Sequence, residues 1–218
     1  MVLAQDMVGP VLVICFGDSL TAGFQLPTRE NPTGEETPYG HFLQNDLGRL
    51  AQVRVSGICG ELTGDMVTRF ERDVLDHSPG YVSILGGTND LGWNVMPSEI
   101  MRNLVVMYEE TRAAGCIPIP ITIPSIRVED GQESREGQEW IADHLERRCR
   151  LNGWIQEYAR STHLPCVDLF AATADPDSGQ LAEIYSNDGL HLTTAGYRLL
   201  AEQVAQVLKP LLSQAVRS

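Results

Sequence analysis

The chain has 218 residues, of which 43 % are hydrophobic and 21 % charged, and its formal net charge is -13. That length suits a single domain over residues 1–218 and buries a full core without staples. So acidic a surface repels nucleic-acid phosphates and anionic lipid, which argues against both as partners.

The opening residues, MVLAQDMVGP, have no cationic stretch followed by a long apolar one, and no run of 18 apolar residues occurs anywhere. The chain therefore reads as cytoplasmic and not inserted in a membrane, although a secreted form stripped of its leader has the same pattern. Five cysteines occur, Cys15, Cys59, Cys116, Cys149 and Cys166, with no CxxC pair. They read as reduced, mostly buried thiols.

Taken in order, residues 11–16 (VLVICF) predict a first strand that stops at Gly17. Residues 25–37 are polar, with two prolines and a glycine. Residues 38–47 predict a short helix. A second strand, 51–56 (AQVRVS), is more polar and so nearer an edge. Residues 63–75 place Met66, Val67, Phe70 and Val74 at helical spacing. The third strand, 81–85 (YVSIL), stops at Gly86 and Gly87 and is followed by a helix over 98–114. Residues 116–123 (CIPIPITI) predict a fourth strand, irregular or open on one side because Pro118 and Pro120 remove ladder donors.

Residues 124–139 are polar and acidic. A long helix over 135–161 follows, with Trp140 counted on its apolar face. Residues 165–169 (PCVDL) predict a short fifth strand, and 194–212 a last helix capped by Thr193 or Thr194. Alternating strands and helices imply a mainly parallel sheet covered on both faces, a three-layer α/β/α sandwich. The polar stretches 25–37 and 124–139 both leave the carboxyl ends of strands, where open α/β sheets place ligands. They read as surface loops or as walls or a lid of a cleft.

Four constellations fall on that edge. In FGDSLTAG, Ser19 leaves a buried strand through a small-residue turn, which lifts a hydroxyl out and leaves backbone N–H groups free to meet negative charge. Serines at such places also cap helices. In SGICGELT, the Gly60 N–H can face the same cleft. In LGGTND, the Asn89 amide can donate into it. In NDGLHLTTAGY, Asp188 stands three residues before His191. A base that takes a proton from a serine needs a partner to fix its tautomer and stabilise its cation, and a carboxylate in a tight turn supplies one. Two ligands are too few for a metal, and His41, His77, His144 and His163 show no ligand spacing among themselves or with this pair. No metal and no cofactor is expected.

These blocks resemble the SGNH hydrolases, the GDSL esterase/lipase family, whose four ordered blocks contribute Ser, Gly, Asn and His. The resemblance runs from Phe16 to about Tyr197 through FGDSLTAG, ICGELT, GGTND and DGLHL. Many relatives carry Ser-Gly-Asp in the second block, where this chain has Cys59-Gly60-Glu61. The resemblance implies a flavodoxin-like sandwich with a five-stranded parallel sheet. It makes Ser19, His191 and Asp188 a catalytic triad, and Ser19, Gly60 and Asn89 the oxyanion donors. It implies a serine esterase acting on small acyl or aryl carboxylic esters through an acyl-enzyme. A carbohydrate O-deacetylase, a thioesterase, a lysophospholipase or a non-catalytic binding module on the same fold are the alternatives. Trp93 and Met96, just past the third block, are candidates to shape the substrate pocket. An α/β-hydrolase is excluded because its G-x-S-x-G elbow is missing and its acid and base usually lie far apart. The sequence is silent on homo-oligomerisation.

Overall fold

In the computed structural model, which describes residues 9–128 and 135–215, four strands run parallel in the order β2-β1-β3-β4. They are β1 (Val11–Gly17), β2 (Ala51–Gly57), β3 (Tyr81–Leu85) and β4 (Ile117–Pro120). Every residue of β3 and the last five of β1 are buried, as a strand covered on both faces requires. β2 mixes buried and exposed positions and lies at the edge, where its polarity placed it.

The helices are α1 (Ser19–Ala22), α2 (Tyr39–Leu47), α3 (Thr63–Asp73), α4 (Thr88–Gly92), α5 (Pro97–Ala113), α6 (Arg135–Ser161), α7 (Leu169–Thr173) and α8 (Thr194–Ala215). α2 packs on α8, while α5 packs between α3 and α6. The alternation of strand side chains divides the core between these two groups. Cys15 sits under Gly40 of α2, and the next residue, Phe16, meets Phe70 of α3 edge-on at 5.1 Å between ring centroids. On the α2 side, the buried Tyr39 hydroxyl is 2.8 Å from Ser83 Oγ in β3.

The expected fifth strand is reduced to one parallel bridge, Ile121 to Val167. The prolines explain this. Ile117 and Ile121 donate toward the β3 side, to Gly80 O and Ile84 O. The even-numbered positions face the other way, and there Pro118 and Pro120 have no N–H to give. Only the Pro120 carbonyl, which accepts from Val167 N, and Thr122 N–H, which donates to Val167 O, complete the contact. The cysteines also differ from expectation. All five are free, but Cys59 and Cys149 are exposed.

Parallel pairing aligns the ends of β1, β2 and β3, with Gly17 beside both Gly57 and Leu85. At Gly17 the chains come so close that an added Cβ would lie 2.2 Å from Leu85 O and 2.4 Å from Thr21 Oγ1. Gly17→Ala is expected to cost about 1–3 kcal/mol by overpacking, read as a lower urea midpoint at unchanged slope. An unchanged midpoint would contradict this packing.

Candidate active site

Ser19 is the first residue of α1 and is only 5 % exposed. Asp18 caps that turn: its Oδ1 accepts the Leu20 N–H at 2.9 Å, and its carbonyl accepts from Thr21 and Ala22. The turn ends at Gly23 in the left-handed region (φ 86°). Asp18 occupies N-cap geometry, so Ser19 does not cap its own helix.

The turn that precedes α8 orients His191. Its Nδ1 lies 2.8 Å from Asp188 Oδ2. Asp188 Oδ1 accepts the N–H groups of Leu190 at 2.9 Å and His191 at 2.7 Å. Burial pushes the Asp188 carboxyl up, but the His191 contact and these two N–H donors outweigh it and hold the group down at about 2. Gly189 is needed there, because at φ +76° an added Cβ would sit 2.4 Å from Arg127 O. Phe24 meets the imidazole edge-on at 4.5 Å.

The serine and histidine segments are tied together. Phe24 N donates to Ser19 O, and Phe24 O accepts the Tyr197 hydroxyl of α8. The buried Gln25 accepts Thr194 N–H at 3.1 Å and the Thr194 hydroxyl at 3.2 Å. Asn187 Nδ2 donates to Pro27 O, and Arg198 pairs with Glu30. The polar stretch 25–37 is thus fastened to the histidine turn. Among the described residues, Ser19 Oγ makes no hydrogen bond to the ring, so the imidazole is held from behind by Asp188 and from the side by Phe24.

The glycine and asparagine loops share a buried polar knot. Asn89 Nδ2 donates to Glu61 O at 2.9 Å. Asp90 accepts both the N–H and the hydroxyl of Thr63 at the start of α3, and burial raises its pKa. The Glu61 carboxylate takes a two-pronged contact from the buried Arg69, at 2.7 Å from Nε and 2.6 Å from Nη2. Arg69 Nη2 also donates to Gly17 O at 2.9 Å, and its guanidinium lies 4.1 Å from the centre of the Phe16 ring. Gly60 itself is in the left-handed region (φ +77°) with open space where a side chain would be.

A cavity of about 530 Å³ opens beside these loops. Its lining includes Asn89, Trp93, Trp140, His144, Arg148, Asp188 and Leu190, but not Ser19, Gly60 or His191. Of the two pocket candidates, Trp93 lines the cavity, whereas Met96 lies exposed at the start of α5 and does not. Trp140 does not belong to the core. It is 56 % exposed and stacks on His144 with ring centroids 4.6 Å apart. Trp140, His144 and Arg148 form an i, i+4, i+8 row on α6, a spacing visible in the sequence but hidden by reading that face as apolar. Part of the polar stretch 124–139 reaches this cavity through Ile126, Arg127 and Val128. The rest of its lid expectation rests on residues 129–134, outside the described residues.

Arg148 is wholly buried. Its Nη1 donates to Pro124 O at 2.7 Å, while Nε and Nη2 have no partner among the described residues. Burial lowers its pKa to about 9 against the pull of Asp18. Burial likewise lowers His144 to about 4, with Arg148 and Arg147 adding to the effect, so the ring is neutral at pH 7. Asp18 is pushed up to about 7, chiefly by burial, and its Oδ2 is unpartnered. An aspartate raised from 3.8 in this way favours the fold most when protonated, and that contribution fades as pH climbs through about 7. Asp18→Asn keeps an oxygen for the Leu20 N–H and removes the charge. Its melting temperature is expected to gain on that of the wild type between about pH 4 and pH 7 and then to hold its lead. A difference independent of pH would contradict the assignment.

Known proteins agree with this architecture. The model of the GDSL-like Lipase/Acylhydrolase family matches residues 15–199. A curated relative, an uncharacterized lipoprotein of Bacillus subtilis, is 27 % identical over 220 residues, 90 % of each chain. Its name describes a lipoprotein, where the sequence reading expected a cytoplasmic protein. No helix among the described residues is long and apolar enough to cross a membrane. The lipase/acylhydrolase of Enterococcus faecalis superposes with a TM-score of 0.70 at 27 % identity, over 92 % of this chain and 96 % of that one. An acetylxylan esterase from Geobacillus stearothermophilus shares the fold, with a TM-score of 0.65 at 22 % identity over 91 % and 94 % of the two chains. With a family model spanning all four blocks, from the serine turn to the histidine turn, the chain belongs to the GDSL-like lipase/acylhydrolase family.

Proposed function

We propose that this chain, acting as a single hydrolase domain, cleaves carboxylic esters of small acyl or aryl type through Ser19, His191 and Asp188. The observation that carries the reading is the 2.8 Å contact between His191 Nδ1 and an Asp188 carboxylate held at about 2. With its Nδ1–H given to that carboxylate, the imidazole presents an unprotonated Nε2, the form a general base needs. The ties through Phe24, Gln25 and Tyr197 support Ser19 as the hydroxyl it serves.

In this mechanism Ser19 Oγ attacks the ester carbonyl carbon as His191 takes its proton. Asp188 stabilises the imidazolium. The oxyanion meets the N–H groups of Ser19 and Gly60 and the Asn89 amide. An amide has two N–H donors, so Asn89 keeps one for the oxyanion while the other holds Glu61 O. His191 returns the proton to the departing alcohol, and water, activated by the same base, releases the acid from Ser19. The relatives named as acylhydrolases and esterases favour this over a non-catalytic binding module.

Asn89→Ala is expected to lower kcat on p-nitrophenyl acetate by on the order of 10²–10³ with an unchanged circular dichroism spectrum. A folded variant that retains the wild-type rate would remove Asn89 from the oxyanion site.

A further inference from the structure

We infer that Phe24 is a positioning residue of the reaction: its ring, 4.5 Å from the His191 imidazole between centroids, limits how far that imidazole turns about its Asp188 contact. It thereby sets whether Nε2 can reach Ser19 Oγ. The inference rests on the hydrolase reading above and adds a residue that stands just past the first of the four sequence blocks.

The imidazole needs a second restraint. Its Nδ1 lies 2.8 Å from Asp188 Oδ2, and that contact pins one atom of the ring. The torsion that turns a histidine ring about its bond to Cβ has broad wells rather than sharp ones. Close packing does not make up the difference, because the His191 side chain is 18 % exposed. A ring fixed at Nδ1 alone can swing Nε2 away from the serine.

Phe24 supplies that restraint. Its ring crosses the imidazole plane at 61°, one of the arrangements aromatic pairs favour. It is half-buried and takes no part in the hydrophobic core, so packing there does not account for it. Among the described residues it is the one aromatic ring against His191.

The main chain of Phe24 is fixed to both catalytic segments. Its N–H donates to Ser19 O at 3.0 Å, and its carbonyl accepts the Tyr197 hydroxyl of α8. Before it, Gly23 turns the chain in the left-handed region, where an added Cβ would lie 2.2 Å from Pro38 N. After it, the buried Gln25 accepts the N–H and hydroxyl of Thr194. The ring is thus carried by the frame that joins the serine turn to the helix behind the histidine. Misplacing reacting groups by about 1 Å can cost on the order of 10²-fold in rate, which sets the scale of the expected effect.

Hydrolysis of p-nitrophenyl acetate should be compared for wild type, Phe24→Leu, Phe24→Met, Phe24→Tyr and His191→Ala. Leucine and methionine keep apolar bulk and both main-chain hydrogen bonds, so both variants are expected to fold, and either one decides the test. Their kcat is expected to fall about tenfold to a hundredfold with KM within about twofold of wild type. Labelling of Ser19 by a fluorophosphonate should slow by the same factor. Phe24→Tyr keeps the flat ring and should hold kcat within about threefold of wild type. Wild-type kcat in the leucine or methionine variant would overturn the inference, as would a loss in Phe24→Tyr equal to that in Phe24→Leu. So would a raised KM at unchanged kcat, because Phe24 would then touch substrate rather than steer the base. With His191→Ala inactive, each of those results leaves the hydrolase reading standing. A His191→Ala protein as active as the wild type would overturn both.

Discussion

Arg69 carries a positive charge into the interior at the point where three loops meet, and the arrangement of the site depends on how that charge is satisfied. Its guanidinium reaches the Glu61 carboxylate, Gly17 O at the end of β1, Ser56 Oγ near the end of β2 and Asp73 within its own helix. Taking a buried cation from its anion costs about 3–5 kcal/mol, because the remaining charge has no solvent to turn to. The glycine loop, the serine turn and α3 therefore hold one mutual position. Asp90 extends the lock by gripping Thr63, and Asn89 adds a bond to Glu61 O. Three backbone segments distant in sequence are thereby held together, as the oxyanion site proposed above requires.

Two aspartates show how environment sets chemistry on this edge. Asp188 has Leu190 and His191 N–H donors and the imidazole around it, and it stays ionised. Asp18 is fully buried, has a single N–H donor to its carboxylate, and is pushed up to about 7. In the mechanism proposed above the first stabilises a cation on His191; the second caps the turn that carries Ser19. Arg148 lines the cavity, and its charge and the Asp18 carboxylate attract each other although each keeps unpartnered polar atoms.

Much of this was legible in the sequence, because it is carried by local patterns. The apolar runs of β1 and β3, the polar edge strand and the glycines at the ends of β1 and β2 and just after β3 all follow from short-range chemistry. The Asp188–His191 contact could be read because three residues of one turn separate the pair. The prolines of β4 gave the open side correctly, yet the same prolines removed the donors that a full fifth strand would have needed. What stayed hidden depends on long-range packing. Arg69 and Glu61 read as ordinary helix and loop charges, since nothing local says that both are buried. Gln25 reads as a loop residue until it meets Thr194, far along the chain. Trp140 reads as part of an apolar face because helical periodicity marks a face without saying whether protein or a cavity lies against it.

The central claim is that one hydroxyl, Ser19, is the nucleophile served by the His191–Asp188 pair. The most direct measurement is intact-protein and peptide mass spectrometry after treatment with a fluorophosphonate ester. The account predicts a single phosphonyl adduct on the peptide carrying Ser19, absent in Ser19→Ala and strongly slowed in His191→Ala. An adduct on another residue, or an unlabelled Ser19 in protein that hydrolyses p-nitrophenyl acetate, would contradict it.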